Sequence, residues 1–183
     1  EGWLEMKADN DLVFSSWNSF KVLVVDSPFG SLASSPRVIR DPLLAGPADW
    51  ILISPKTYRI DDAADWILPL IHADTHIAFI QNGVEHLANL RPYVLADRIL
   101  QVITDCLAER SEPGKILQRV SVLMTIPNTS SSTIASLFPA EGFQIRLTDE
   151  WSAAAWRKLC INSGGAVSVL LNQAANLFRE GDA

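Results

Sequence analysis

Trp50-Ile51-Leu52-Ile53-Ser54, bounded by Asp49 and Pro55, is a continuous apolar run. Such a run suits a strand buried on both faces, as in a parallel sheet. His76-Ile77-Ala78-Phe79-Ile80, closed by Gln81-Asn82-Gly83, repeats the pattern. Between the two, residues 61–71 carry apolar side chains at 63, 64, 67, 68, 70 and 71. That is a helical stripe, with acidic residues in its first turn. Val84 to Leu90 reads as a further helix. Strand, helix, strand, helix with short connections predicts an α/β fold.

Upstream, Gly2 to Ala8 reads as the end of a helix and Asp9-Asn10 as a turn. Asp11 to Ser15, Lys21 to Asp26 and Arg37 to Arg40 read as strands, with Ser27-Pro28-Phe29-Gly30 as a turn. The chain opens without an initiator Met and without an N-cap before that first helix. A start further upstream is therefore expected. Downstream, Ile99 to Leu107 and Ile116 to Ile126 read as two strands, turned at Glu112-Pro113-Gly114-Lys115. Neither leads at once into a helix, which predicts an antiparallel pair at the far side of the sheet. Ser130 to Pro139 reads as a helix and Phe143 to Leu147 as a strand. From Thr148 the pattern is helical, so the expected domains are 1–147 and 148–183.

The bulk properties narrow the function classes. The chain has 183 residues, enough for one core or for one domain and part of another. Hydrophobic residues at 48% and charged residues at 20% exclude a disordered composition. A net charge of -6 argues against nucleic acid as a partner. No apolar run approaches the roughly 20 residues that span a bilayer. Cys106 and Cys160 lie in apolar segments and read as two reduced core thiols of a cytoplasmic protein. No secretory signal pattern is visible.

Four groups of residues bear on chemistry. Lys56, in Ser54-Pro55-Lys56-Thr57-Tyr58, follows a buried strand, where open α/β sheets bind ligands. It can meet a phosphate there, or be an ordinary surface lysine. Asn82, in Gln81-Asn82-Gly83, is expected at the same sheet edge, though the pair also fits a plain tight turn. Lys158 and Asn162 are four apart on the last helix, on one face with Trp151 and Ala155, while Arg157 points elsewhere. Thr148 or Asp149 is the natural N-cap of that helix. A lysine partly withdrawn from water can donate a proton near neutral pH. A lysine snorkelling at a helix edge is the alternative. His72 and His76 are also four apart, but one ends a helix and the other starts a strand. No metal site is expected from them, and His86 reads as an ordinary helix residue.

Three segments in this order resemble the ketopantoate reductase family: Asp49 to Tyr58, Phe79-Ile80-Gln81-Asn82-Gly83-Val84, and Trp156-Arg157-Lys158-Leu159-Cys160-Ile161-Asn162. The resemblance covers nearly the whole chain. It implies a Rossmann-type dinucleotide-binding domain, incomplete at its N-terminus, followed by the start of an all-helical C-terminal domain. It further implies NADPH-dependent reduction of 2-dehydropantoate to pantoate, a step toward coenzyme A. Lys158 matches the family's catalytic lysine, Lys56 its cofactor-binding lysine, and Asn162 a substrate-contacting asparagine. Asn82 matches an asparagine near both cofactor ribose and substrate. A small 2-keto acid is the implied partner, and a homodimer is compatible.

The sequence departs from the family in three places. The Gly-x-Gly-x-x-Gly loop is expected just before residue 1, so the 183 residues alone are expected to be inactive. Ser15-Ser16-Trp17 stands where the family has an arginine for the 2′-phosphate, which leaves NAD open beside NADP. Asn162-Ser163-Gly164-Gly165-Ala166 lacks a second asparagine, which opens the way to another 2-keto acid. A non-catalytic nucleotide-binding protein on the same scaffold is the alternative.

Overall fold

A computed structural model describes residues 13–15, 21–54, 65–80, 82–85, 88, 91–92, 94–128, 134–138 and 142–170. Its centre is β6 (His76–Phe79), paired in parallel with β5 (Trp50–Ile53) on one side and β7 (Ile99–Gln101) on the other. The registers align Ile53 with Phe79, and Phe79 with Gln101, so the three carboxyl ends are level. The chain runs on past Val102, whose N–H donates to the Phe79 carbonyl, into β8 (Ile103–Asp105). There β11 (Val122–Pro127) pairs antiparallel with β8, and β12 (Phe143–Thr148) pairs parallel with β11. The antiparallel pairing at the far side agrees with the sequence.

Alternation along β6 explains why this sheet has no wet face. Ile77 and Phe79 enter one core, with Ile51, Ile53, Ile67, Val94 and Ile99. Ala78 enters the other, with Leu100, Val102, Val122, Met124 and Ile126. Ile77, Ala78 and Phe79 are all 0% exposed. Two layers provide the cover. Residues 65–67 are helical and tighten into a 3-10 turn at Leu68–Leu70, which brings Ile67 onto the first face. A second 3-10 turn, Ile134–Leu137, brings Ile134 and Leu137 onto the other face, and Phe138 beside it stacks on Phe143 at 5.3 Å. The expected α/β architecture is therefore observed, and it is Rossmann-like.

Two smaller sheets complete the described chain. Strands β1 (Val13–Ser15) and β4 (Arg37–Ile39) pair in parallel. A four-stranded sheet has the order β3-β2-β10-β9, from β2 (Leu23–Ser27), β3 (Gly30–Ser34), β9 (Ala108–Glu112) and β10 (Lys115–Gln118). Gly114, at φ 79°, turns β9 into β10. Here the sequence expectation needs correction. Ile116 to Ile126 is not one strand but two, β10 and β11, in different sheets. The corner is built at Arg119, which donates to Glu109 from Nε (2.8 Å) and Nη2 (3.0 Å), and at Gln118, which donates to the Val120 carbonyl. Hydrogen bonding to Arg119 and its charge hold the Glu109 carboxyl below its ordinary range. Likewise Ile99 to Leu107 divides at Val102 into β7 and β8. The helices expected over 2–8 and most of 84–90 lie outside the described residues.

The last element is helix α1 (Trp151–Leu170), which packs on β8 and β11. It is 20 residues long, and no helix among the described residues is long and apolar enough to cross a membrane.

This packing sets an expectation for stability. Ile77→Ala removes buried methyl groups where neither face can relax into solvent, so it should cost about 2–5 kcal/mol. Leu43→Ala, at a side chain 75% exposed, should stay within about 0.5 kcal/mol. Urea midpoints of the two variants measure the difference.

Candidate functional site

Level carboxyl ends create one edge where several loops converge, and open α/β sheets bind ligands at such an edge. Asn82 follows β6 there and is exposed. Gly83 behind it has φ 141°, so the expected positive-φ turn is present. Lys56 follows β5 but lies outside the described residues. Beyond β7, Val102 N–H donates to the Phe79 carbonyl at the end of β6, and β8 carries Thr104 and Asp105 onward from there.

Lys158 reaches the same edge from the helix. The chain turns from β12 into α1 at the opposite, amino edge of β5–β7, because β11 and β12 run against β8. Asn128 Nδ2 donates to Asp149 Oδ1 at 2.9 Å, and Glu150 N–H donates to Thr148 Oγ1 at 3.1 Å. The first helical hydrogen bond runs from Ala154 N–H to the Glu150 carbonyl, which puts the cap position at Glu150. The expected cap at Thr148 or Asp149 is thus displaced, because those two side chains fasten the preceding loop. From there the helix returns across the sheet. Seven residues to Lys158 advance it about 10 Å, close to the roughly 13 Å that four strand residues span between Pro127 and Leu123. Leu123 is the register partner of Asp105.

The outcome is a salt bridge between Lys158 Nζ and Asp105 Oδ1. The Lys158 side chain is 24% exposed and that of Asp105 47%. Ala155, one turn earlier on the same face, is buried. Asn162, one turn later, is exposed, so only part of the expected polar face is enclosed. Arg157 is exposed and on another face, as its spacing predicts. Asp105 escaped the sequence reading. Its one visible signal is an acidic residue near the end of the apolar segment Ile99 to Leu107.

His72 and His76 belong to the opposite edge. His76, at the start of β6, stacks on Trp50 with ring centroids 4.9 Å apart. His72 Nε2 lies 3.5 Å from Asp49, and its carbonyl accepts from Arg98. Thr75 Oγ1 donates to the Ala48 carbonyl at 2.7 Å and accepts from His72 N–H at 2.8 Å. These contacts fasten the loop into β6.

The cysteine expectation needs correction at one position. Cys160 is exposed on α1, while Cys106 is half-buried, and both are free thiols. Burial pushes the Cys106 thiol up.

Parallel strands with level carboxyl ends, covered on both faces, define a Rossmann-like α/β protein. Residues 12–131 match the family model for ketopantoate reductase PanE/ApbA, and the chain belongs to that family. It is 32% identical over 179 residues to the 2-dehydropantoate 2-reductase of Caulobacter vibrioides, covering 97% of this chain and 62% of that protein. A crystal structure of 2-dehydropantoate 2-reductase from Geobacter metallireducens superposes with a TM-score of 0.78 at 27% identity, covering 87% of this chain and 56% of that one. D-mandelate dehydrogenase, solved with NADH and anilino(oxo)acetate, shares the fold at 19% identity and a TM-score of 0.67, covering 81% of this chain and 50% of that one.

A chemical consequence follows from the cysteines. The thiolate is the reactive form, so the burial of Cys106 reduces its reactive fraction at any given pH. Limited iodoacetamide at pH 8 should label Cys160 before Cys106, read by peptide mass spectrometry. Faster labelling of Cys106 would contradict the burial assigned to it.

Proposed function

We propose that this protein is an NAD(P)H-dependent reductase of a branched 2-keto acid, with 2-dehydropantoate the first substrate to test. The observation that carries the reading is Lys158, drawn to the carboxyl edge of a dinucleotide-type sheet by a carboxylate on a neighbouring strand. Family membership supports it. The residues of this edge fit a dinucleotide: three strand ends are level, and Gly83 lets the chain leave β6 tightly beside exposed Asn82.

In this reading Asn82 orients cofactor ribose and substrate, and Lys56 meets a cofactor phosphate. The nicotinamide, when bound, supplies hydride to the ketone carbon. Lys158 gives a proton from Nζ to the ketone oxygen, so the carbonyl becomes an alcohol and the amine recovers its proton from solvent. Asn162, one helical turn beyond, contacts the substrate. In the same reading residues 148–183 belong to the beginning of a helical substrate domain, and residues 1–147 to the dinucleotide-binding part. A related 2-keto acid is a second reading, favoured by Ala166 where the family often carries a second asparagine.

The test follows absorbance at 340 nm with 2-dehydropantoate and a panel of branched 2-keto acids, using NADPH and NADH in turn. Turnover of one keto acid with either cofactor is the expected result, and the cofactor pair decides NADP against NAD. Cofactor binding by calorimetry without any turnover would instead indicate a non-catalytic nucleotide-binding protein. Lys158→Ala should lower kcat by about 10²-fold or more. A near-normal rate removes Lys158 from the proton-donor role.

A further inference from the structure

We propose that Asp105 is a positioning residue for Lys158, fixing the ammonium at the carboxyl edge while leaving N–H bonds for the substrate. This rests on the reading of Lys158 as proton donor. A lysine ends a flexible four-carbon stem and by itself samples many rotamers. A charge-assisted hydrogen bond to a fixed acceptor narrows that range. Asp105 is such an acceptor. It stands on β8, which pairs with β11, in a chain that runs on from β7 beside β6. Its backbone is therefore held by the ladder to β11, opposite Leu123.

The burial of the two side chains is unequal. Lys158 is 24% exposed and Asp105 47%. Lys158 has lost more of its hydration than Asp105, so the contact compensates the lysine first. An ammonium has three donors. The bond to Asp105 Oδ1 is the one recorded for Lys158 among the described residues, which leaves the others for a ketone oxygen. The pair is formally neutral. Its attraction for a substrate carboxylate is therefore weak, and Asp105 serves proton delivery rather than acid binding. The two roles separate experimentally. Loss of the carboxylate should slow the chemical step, yet leave a net positive site that binds a keto acid no more weakly.

The experiment measures kcat and KM of the protein as its gene encodes it. The variants are Asp105→Asn, Asp105→Ala, Lys158→Ala and the double variant Lys158→Ala/Asp105→Asn. Asp105→Asn preserves shape and should fold normally. Its kcat should fall about tenfold or more, with the KM for the keto acid unchanged or lower. Asp105→Ala should lose at least as much. In the Lys158→Ala background, Asp105→Asn should change kcat less than twofold, because a residue acting through Lys158 has nothing left to act on. A near-normal kcat for Asp105→Asn would overturn the proposal. So would the same tenfold loss in the absence of Lys158, or a loss accounted for by a smaller folded fraction in thermal melts. If Lys158→Ala alone has no effect, the proton-donor reading fails as well. If Lys158→Ala is severely impaired and the two effects add, only the role of Asp105 fails.

Discussion

From Ile77 to Phe79 strand β6 has no face that water can reach, and the rest of the fold follows from that constraint. Its three core residues, Ile77, Ala78 and Phe79, point alternately into two different hydrophobic clusters. A strand buried on both faces needs hydrogen-bonded neighbours on both edges and a covering layer above and below. β5 and β7 provide the edges in parallel, and the segments around Ile67 and Ile134 provide the layers. Parallel pairing with level registers has a functional consequence. Every connection leaving the carboxyl ends emerges at one edge, so Asn82 and Asp105 gather there although 22 residues separate β6 from β7 in register. The amino edge collects a different set, Trp50, His76, Thr75 and His72, whose contacts hold the loop into β6. The division of labour between the edges assigns His72 and His76 to structure.

The second dependency concerns the return of the chain. β11 and β12 run against β8, so α1 begins at the amino edge and must cross the sheet to bring Lys158 to Asp105. The match between the helical rise and the strand span is what lets the two meet. Exposed ion pairs contribute little, typically about 0–1 kcal/mol. With Asp105 about half exposed, this pair falls near that range, and α1 is held chiefly by its apolar contacts, Ala155 among them. The salt bridge orients one side chain more than it anchors a helix.

The sequence disclosed those parts of the fold whose burial is written in local periodicity. The apolar runs at Trp50 and His76 became β5 and β6, and Phe143 to Leu147 became β12 within one residue. The helix carrying Lys158 was legible from spacing, and the turn at Gly83 from its glycine. Strands β3 and β9 were not legible. Every residue of both is exposed, and Gly30-Ser31-Leu32-Ala33-Ser34 and Ala108-Glu109-Arg110-Ser111-Glu112 carry no alternation. They are strands because β2 and β10 offer them backbone partners, and pairing between segments leaves no mark on composition. The corner at Arg119 was hidden similarly, since it depends on Glu109 in a neighbouring strand. Asp105 is the functional instance of the same limit. It meets Lys158 across 53 residues, and inside an apolar segment it reads as no more than an interruption.

That long-range meeting also depends on helical phase. A shift of one residue turns a helix by about 100°, enough to swing Lys158 away from the sheet and bring Arg157 or Leu159 toward it. Something must therefore fix where α1 starts. The loop between β12 and α1 is short, and its two side-chain bonds come from different parts of the chain. Thr148, the last residue of β12, accepts from the Glu150 N–H, while Asn128, just after β11, holds Asp149 from a distant part of the chain. β11 is also the strand that fixes Asp105, through the Leu123 register. A single strand thus references both members of the ion pair: one through the backbone ladder to β8, the other through Asn128 and the phase of the helix. The lysine and its carboxylate are brought together by elements that share a neighbour, which is why a bond spanning 53 residues needs no long-range precision beyond that of one sheet.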